Sequence, residues 1–236
     1  MDELRDQFLI GLKWFHRYFR KQKVDAFLRM VGGKRASLLD LGGGPGVAGE
    51  FRTVHESFEY VVLANISLPK WETTLGSAIR LVVADGCALP FASRSFDWVF
   101  SNAVIEHVGG KARQKQFADE IRRVSAKGYF VATPNKNFPI EPHTLLPFYQ
   151  FLTPTQQRRV VHLSPGYVRE PTEINLLSRR DLRCLFPEAR ILKMGLRLFP
   201  NSLAAMYRVD EDRATESDQW ETASGAAGLL DGEARC

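Results

Sequence analysis

The chain has 236 residues, 44% of them apolar, which suits one large α/β domain with a full core and accessory segments. Its formal charge of +5 is unevenly spread: Asp210 to Cys236 holds eight acids and two bases, so the remainder is strongly basic. Three widely spaced cysteines (Cys87, Cys184 and Cys236) indicate neither a disulfide framework nor a zinc site, and no apolar run approaches the ~20 residues of a bilayer span.

A basic body points to an anionic partner, whether a phosphorylated substrate, a nucleic acid or an anionic lipid surface, or simply to a solvated basic face. The acids Asp2 and Glu3 at the start are unlike a basic signal region. A cytoplasmic setting is expected, with reduced thiols.

Residues 3–31 predict a long helix. Leu4, Phe8, Leu12, Phe15 and Phe19 recur at helical steps and Val24, Phe27, Leu28 and Val31 continue the stripe, while Lys13, Arg17 and Arg20 mark another face. Gly32-Gly33 ends it. The segment 1–33 reads as a helical cap on the domain or as an amphipathic contact with an anionic membrane surface.

Alternating strands and helices follow from residue 34. Ser37–Leu41, Phe58–Ala64, Leu81–Ala84, Phe96–Ser101 and Gly128–Thr133 read as strands, most of them nearly all apolar. Helical segments run to about His55 and over Gly110–Val124, and Leu68–Gly76 reads as a short link. This argues for a parallel sheet buried on both faces.

The stretch 135–172 is rich in proline and aromatic residues and too long for an ordinary connection, so a lid or small helical cap is expected. Ser178–Phe186 predicts a helix with Ser178 as N-cap. Ala189–Leu196 and Leu203–Val209 predict two strands that close the sheet, with an antiparallel edge. Residues 210–236 predict a disordered acidic tail.

The most informative stretch is Leu38-Leu39-Asp40-Leu41-Gly42-Gly43-Gly44-Pro45-Gly46, a strand that ends in a carboxylate and glycines. Bare backbone can approach a ligand there, beside one acid. Read literally, residues 44–49 also fit G-x-G-x-x-G, which keeps a nicotinamide-dependent oxidoreductase open. Two features oppose it. Asp40 would repel a pyrophosphate, and the ribose-reading acid expected about 20 residues on is replaced by Asn65. A ligand with a sulfonium and an α-ammonium would instead welcome Asp40.

Four motifs in order (38–46, 62–67, 84–90 and 96–108) carry a resemblance to class I S-adenosylmethionine-dependent methyltransferases, in the group that includes ubiquinone/menaquinone and other small-molecule enzymes. The resemblance covers roughly residues 10–209. It implies a seven-stranded, mostly parallel Rossmann-like sheet with helices on both faces and one antiparallel edge strand. S-adenosyl-L-methionine would be the cofactor. Asp40, Gly42, Gly43 and Gly44 would hold its methionine end, and residue 65 would lie by the ribose. Asp85, Gly86 and Cys87 would face the adenine, and Ser101 and Asn102 would line the floor near the methyl. The family usually has an acid where this chain has Asn65. Loss of a charge-assisted hydrogen bond there would cost about 1.5–3 kcal/mol, so Asn65→Asp should tighten cofactor binding, and an inactive, partner-docking homologue is the alternative.

His107, in Ile105-Glu106-His107-Val108, and His143, with Glu141 two residues before it, are the candidate bases for an acceptor hydroxyl. Each also fits a local packing role. No His, Cys or carboxylate cluster shows metal-ligand spacing, so no metal is expected. His16, His55 and His162 read as surface or packed imidazoles. The stretch from Thr133-Pro134-Asn135 to Phe148 is similar to bacterial methyltransferases linked to glycan or lipid biosynthesis. The expected acceptor is therefore a small molecule or a glycan/lipid-linked one, methylated at oxygen. The pairs Arg158-Arg159 and Arg179-Arg180 would hold phosphates, and nucleic acid is disfavoured because no RNA-module signature is present.

Overall fold

The computed structural model describes residues 2–32, 37–43, 50–67, 78–166, 168, 174–196 and 198–209. The end of the glycine turn, including Gly44, the link at 68–77 and the acidic tail lie outside these residues.

Seven strands form one sheet: β1 (Ser37–Leu41), β2 (Tyr60–Asn65), β3 (Ile79–Val83), β4 (Phe96–Asn102), β5 (Ser125–Pro134), β6 (Arg190–Met194) and β7 (Ser202–Arg208). Their order across the sheet is β3-β2-β1-β4-β5-β7-β6. The first five are mutually parallel, and β7 runs antiparallel between β5 and β6. The antiparallel strand at this end of the sheet is thus second from the edge, with β6 outermost. The chain steps outward from β1 to β3, then crosses back to β4 on the other flank of β1. That reversal makes a switch point between β1 and β4, where open α/β sheets bind ligands beyond their strand carboxyl ends.

Side-chain alternation divides the core into two layers. Leu39, Leu41, Val62 and Val99 face one layer, with Phe117, Ile121 and Val124 of helix α3 (Lys111–Val124) and Leu182 of helix α5 (Arg179–Leu185). Leu38, Val61, Leu63, Trp98, Phe100 and Phe130 face the other, where they meet Val54 of helix α2 (Glu50–Glu56) and the second half of helix α1 (Asp2–Val31). Alternation in β1 sends Asp40 toward this second layer.

Helix α1 is a structural layer of the domain over its second half. Val24, Phe27, Met30 and Val31 are buried there, and the Phe27 ring lies 5.0 Å from Phe100 and 5.9 Å from Phe130, centroid to centroid. Arg17 and Arg20 stay exposed, but Phe19 is buried. A membrane role for the apolar stripe from Phe19 onward would compete with the sheet, which already covers it.

Ser178 caps α5 as its sequence foretold: its hydroxyl accepts from the Asp181 N–H, and the Asp181 carboxylate accepts from the Ser178 N–H at 2.8 Å. Between β5 and α5 the chain makes a cap. It contains a tight loop bridged at Ile140 and Pro147, a 3-10 turn at Tyr149–Phe151, helix α4 (Pro154–Val160) and a second 3-10 turn at Val161–Leu163. The two ends of this excursion meet: Asn135 bridges Leu177, and the Lys136 N–H donates to the Leu177 carbonyl at 3.0 Å.

Phe27→Ala is expected to cost about 3–5 kcal/mol of stability, because a fully buried ring between three others leaves a cavity. Urea denaturation measures this; a loss below about 1 kcal/mol would show that α1 is not part of the core.

Candidate active site

The strand tips are joined to one another. The Gly42 N–H donates to the Ala64 carbonyl at 2.8 Å, the Ala84 N–H to the Asn65 carbonyl at 2.9 Å and the Ser101 hydroxyl to the Leu41 carbonyl at 3.2 Å. Asp40, Gly42, Gly43, Asn65, Ser101 and Asn102 are thereby held along one row, with Asp85 just beyond the tip of β3.

Asp40 is 4% exposed and sits directly under the glycine turn: a Cβ on Gly43 would lie 2.2 Å from its Oδ2. Gly42 has φ +78°, a left-handed backbone that side-chain-bearing residues rarely adopt. Asp40 also has a partner that local sequence did not suggest. His55, 8% exposed on α2, places Nε2 at 2.7 Å from Asp40 Oδ2. His55 is therefore a buried partner of the site rather than a bystander.

Asn65 is turned onto the same loop. Its Nδ2 donates to the carbonyls of Gly42 and Gly43, both at 3.4 Å, while its Oδ1 accepts from the Ile66 N–H at 2.8 Å. A carboxylate could not make the first two bonds, so the amide has a use of its own here.

Asp85 accepts from the Cys87 N–H at 2.9 Å and takes Arg113 Nη2 through both oxygens, at 3.0 and 2.8 Å. The Cys87 N–H and the guanidinium together hold its carboxyl below the usual range. The Cys87 backbone donor is thus engaged by Asp85 itself. The Cys87 thiol is pushed up to about 11, chiefly by burial. Gly86 admits the Phe117 ring, which would lie 2.6 Å from a Cβ there.

Asn102 receives Lys23 Nζ from α1 at 2.9 Å. Lys23 is buried, and burial is the main reason that its pKa falls to about 8. Its position was readable as a lone charge at a helical step between Phe19 and Phe27.

The histidines lie farther along the row. His107, on the turn after β4, and His143, in the loop after β5, meet edge to face with centroids 5.0 Å apart. His143 Nδ1 lies 2.5 Å from Glu141 Oε1. Glu141 also accepts from the His143 and Thr144 N–H groups and the Thr144 hydroxyl, so it organises the loop. Burial raises its pKa, but these donors outweigh that and the net shift is downward. Burial holds His107 below the ordinary imidazole value, with the neighbouring His143 acting in the same sense. Glu106, within 4.8 Å of both imidazoles and fully buried, is pushed up by burial, although Thr133 Oγ1 donates to its Oε2 at 2.9 Å.

The seven-stranded sheet, with β7 inserted antiparallel between β5 and β6, is a fold that solved methyltransferase structures share. Residues 39–132 match the family model described as a methyltransferase domain. The chain is thus similar to methyltransferase domains over the segment from β1 to most of β5.

Solved structures agree in fold. One is the complex of the Haloferax volcanii Trm112 methyltransferase activator with a methyltransferase (15% identity, 87% of this chain, 96% of that chain, TM-score 0.57). Another is the N-methyltransferase NodS of Bradyrhizobium japonicum with S-adenosyl-L-homocysteine (13%, 84% and 88%, 0.54). A third is the PH0226 protein of Pyrococcus horikoshii (16%, 81% and 90%, 0.53). No curated protein matches the chain in sequence.

His55→Ala should destabilise the fold by about 3–5 kcal/mol, because it strands the buried Asp40 carboxylate. Adding Asp40→Asn should recover part of that loss. Urea titrations of the single and double variants read the coupling; independent effects would show that the pair does not interact.

Proposed function

We propose that this chain transfers a methyl group from S-adenosyl-L-methionine to an oxygen of a glycan- or lipid-linked small acceptor. The observation that carries the reading is the row of strand tips. A buried acid lies under a bare glycine turn at one end, and an imidazole pair lies at the other.

The residues present fit the nucleoside. Gly42 and Gly43 leave room over Asp40, whose negative charge suits an ammonium. The Asn65 side chain lies where a ribose is expected, and Asp85 keeps part of its carboxylate accessible beside Gly86 despite Arg113. When bound, the cofactor supplies an electrophilic methyl on a sulfonium. The chain's own part is to hold the acceptor in line and to take its proton. His107, whose side chain is 41% exposed, can meet an acceptor hydroxyl. His143, fixed through Nδ1 by Glu141, orients the pair from behind.

The acceptor space supports a hydroxyl-rich ligand. A cavity of about 350 Å³ with mixed polar and apolar walls opens beside Glu141, lined by Lys111, Lys136, Gln150, Gln157 and Asp181 together with Ile174 and Leu176. Ile140, Phe148 and Phe151, each next in sequence to a residue of that lining, are exposed and would suit an adjoining lipid portion. No helix among the described residues is long and apolar enough to cross a membrane, so contact with a lipid-linked acceptor would be made from the membrane surface.

Thermal shift separates this reading from the oxidoreductase and from an inactive homologue. S-adenosylhomocysteine at 100 times its Kd should stabilise the fold by about 2.7 kcal/mol, and NAD should do nothing. No shift at saturation would overturn the proposal. Asn65→Asp should weaken that binding several-fold, since a carboxylate would face two loop carbonyls. This reverses the expectation drawn from the sequence, which took no account of the amide's bonds to the glycine turn.

For the acceptor end, His107→Ala should lower kcat by roughly 10²-fold or more with S-adenosylhomocysteine affinity unchanged. Transfer of labelled methyl to lipid-linked and free glycans measures it. Full turnover in the variant would remove His107 from the chemistry.

A further inference from the structure

Glu106, His107 and His143 converge from the loops after two adjacent strands, and their ligating atoms all lie within 4.8 Å of one another. Glu106 is 0% exposed and His143 3% exposed, whereas His107 stands at the mouth. Both buried groups are oriented through an atom that points elsewhere. Thr133 Oγ1 holds Glu106 Oε2 at 2.9 Å, and Glu141 Oε1 holds His143 Nδ1 at 2.5 Å.

That leaves Glu106 Oε1, which is buried and has no hydrogen-bond partner. A buried carboxylate oxygen without a partner is costly and rare. Its nearest basic group is His107 Nε2, 3.9 Å away. Lys23, whose charge acts on Glu106, bonds Asn102 instead. An unsatisfied carboxylate oxygen beside one imidazole, with a second imidazole in the same cluster backed by another carboxylate, is the donor set of an open-position metal centre.

We propose that Glu106, His107 and His143 bind one divalent transition-metal ion of the zinc type, with at least one coordination position left open. Two imidazoles and a single carboxylate suit Zn²⁺ or its analogues better than Mg²⁺ or Ca²⁺, which take oxygen ligands. Ligand atoms around a tetrahedral zinc ion lie about 3.4 Å apart. The Glu106–His107 separation of 3.9 Å closes by about half an ångström through the exposed His107 side chain, and a pair at the 4.8 Å limit closes by about 1.4 Å. The local sequence hides this site, because His143 reaches it from the loop after the next strand.

The ion's presence is independent of the reaction; its use rests on the reading above. An acceptor hydroxyl on the open position would lose its proton more readily, since a bound cation stabilises the oxyanion. His107 and His143 would then promote proton loss through the ion rather than as free bases.

The test is calorimetric titration of the metal-stripped full chain with Zn²⁺, with Co²⁺ as a spectroscopic probe. One ion per chain is expected, bound at least tenfold more weakly by Glu106→Gln and by His107→Ala. His162→Ala, at an exposed histidine on the cap, should bind as the parent does. Absence of saturable binding, or equal binding by all four proteins, would overturn the proposal. Circular dichroism confirms that the variants fold, and the near-isosteric Glu106→Gln guards against a packing artefact. S-adenosylhomocysteine is titrated separately into the stripped chain. Its binding without any Zn²⁺ uptake defeats the ion alone, while Zn²⁺ uptake without nucleoside binding supports the ion and defeats the methyltransferase reading.

Discussion

The parallel pairing of β1 with both β2 and β4 sets the level of everything that follows. Leu41 lies opposite Ala64 on one side and opposite Ser101 on the other, so three strands end at the same height. Any slip of one residue would exchange the two core layers and turn Asp40 away from α2. The apolar alternation that fixes the register is therefore also what aims the acid beneath the glycine turn. Packing and chemistry are decided by the same ladder of hydrogen bonds.

Three buried carboxylates show three electrostatic solutions in one cleft. Asp40 is paired with the buried His55 at 2.7 Å. Glu141 is surrounded by donors from its own loop and remains a good anion. Glu106 has a single side-chain donor at one oxygen and nothing at the other, and burial works against its ionised form. The first two are stable where they stand. The third is under-satisfied, and buried groups of that kind concentrate where a protein handles ligands.

Much of the fold was legible because its signals are local. Apolar runs bounded by turns gave the strands, and Ser178 with Asp181 gave a helix start. The cap was legible only as an anomaly of composition between β5 and α5. What sequence could not supply were partners brought together by topology. His55 reaches Asp40 from the next helix, Arg113 reaches Asp85 from α3, and Lys23 reaches Asn102 from the first helix. None of these pairs has a characteristic spacing. Only Lys23 left a trace, as a charge in an apolar stripe. Asn65 was read as a loss relative to an acid because its hydrogen bonds to the glycine carbonyls exist only once the turn is built.

The neck at Asn135 and Leu177 has a consequence for how such enzymes diversify. Some forty residues leave and re-enter the scaffold through this neck, yet they stay tied to it, because the Asn175 N–H donates to the Glu106 carbonyl and the His143 ring packs on His107. An exchange of that whole excursion would therefore replace His143 and Glu141 together with the walls of the acceptor side. A graft cut at the neck would have to supply its own partner for His107, so the loop and the strand tips behind it change together.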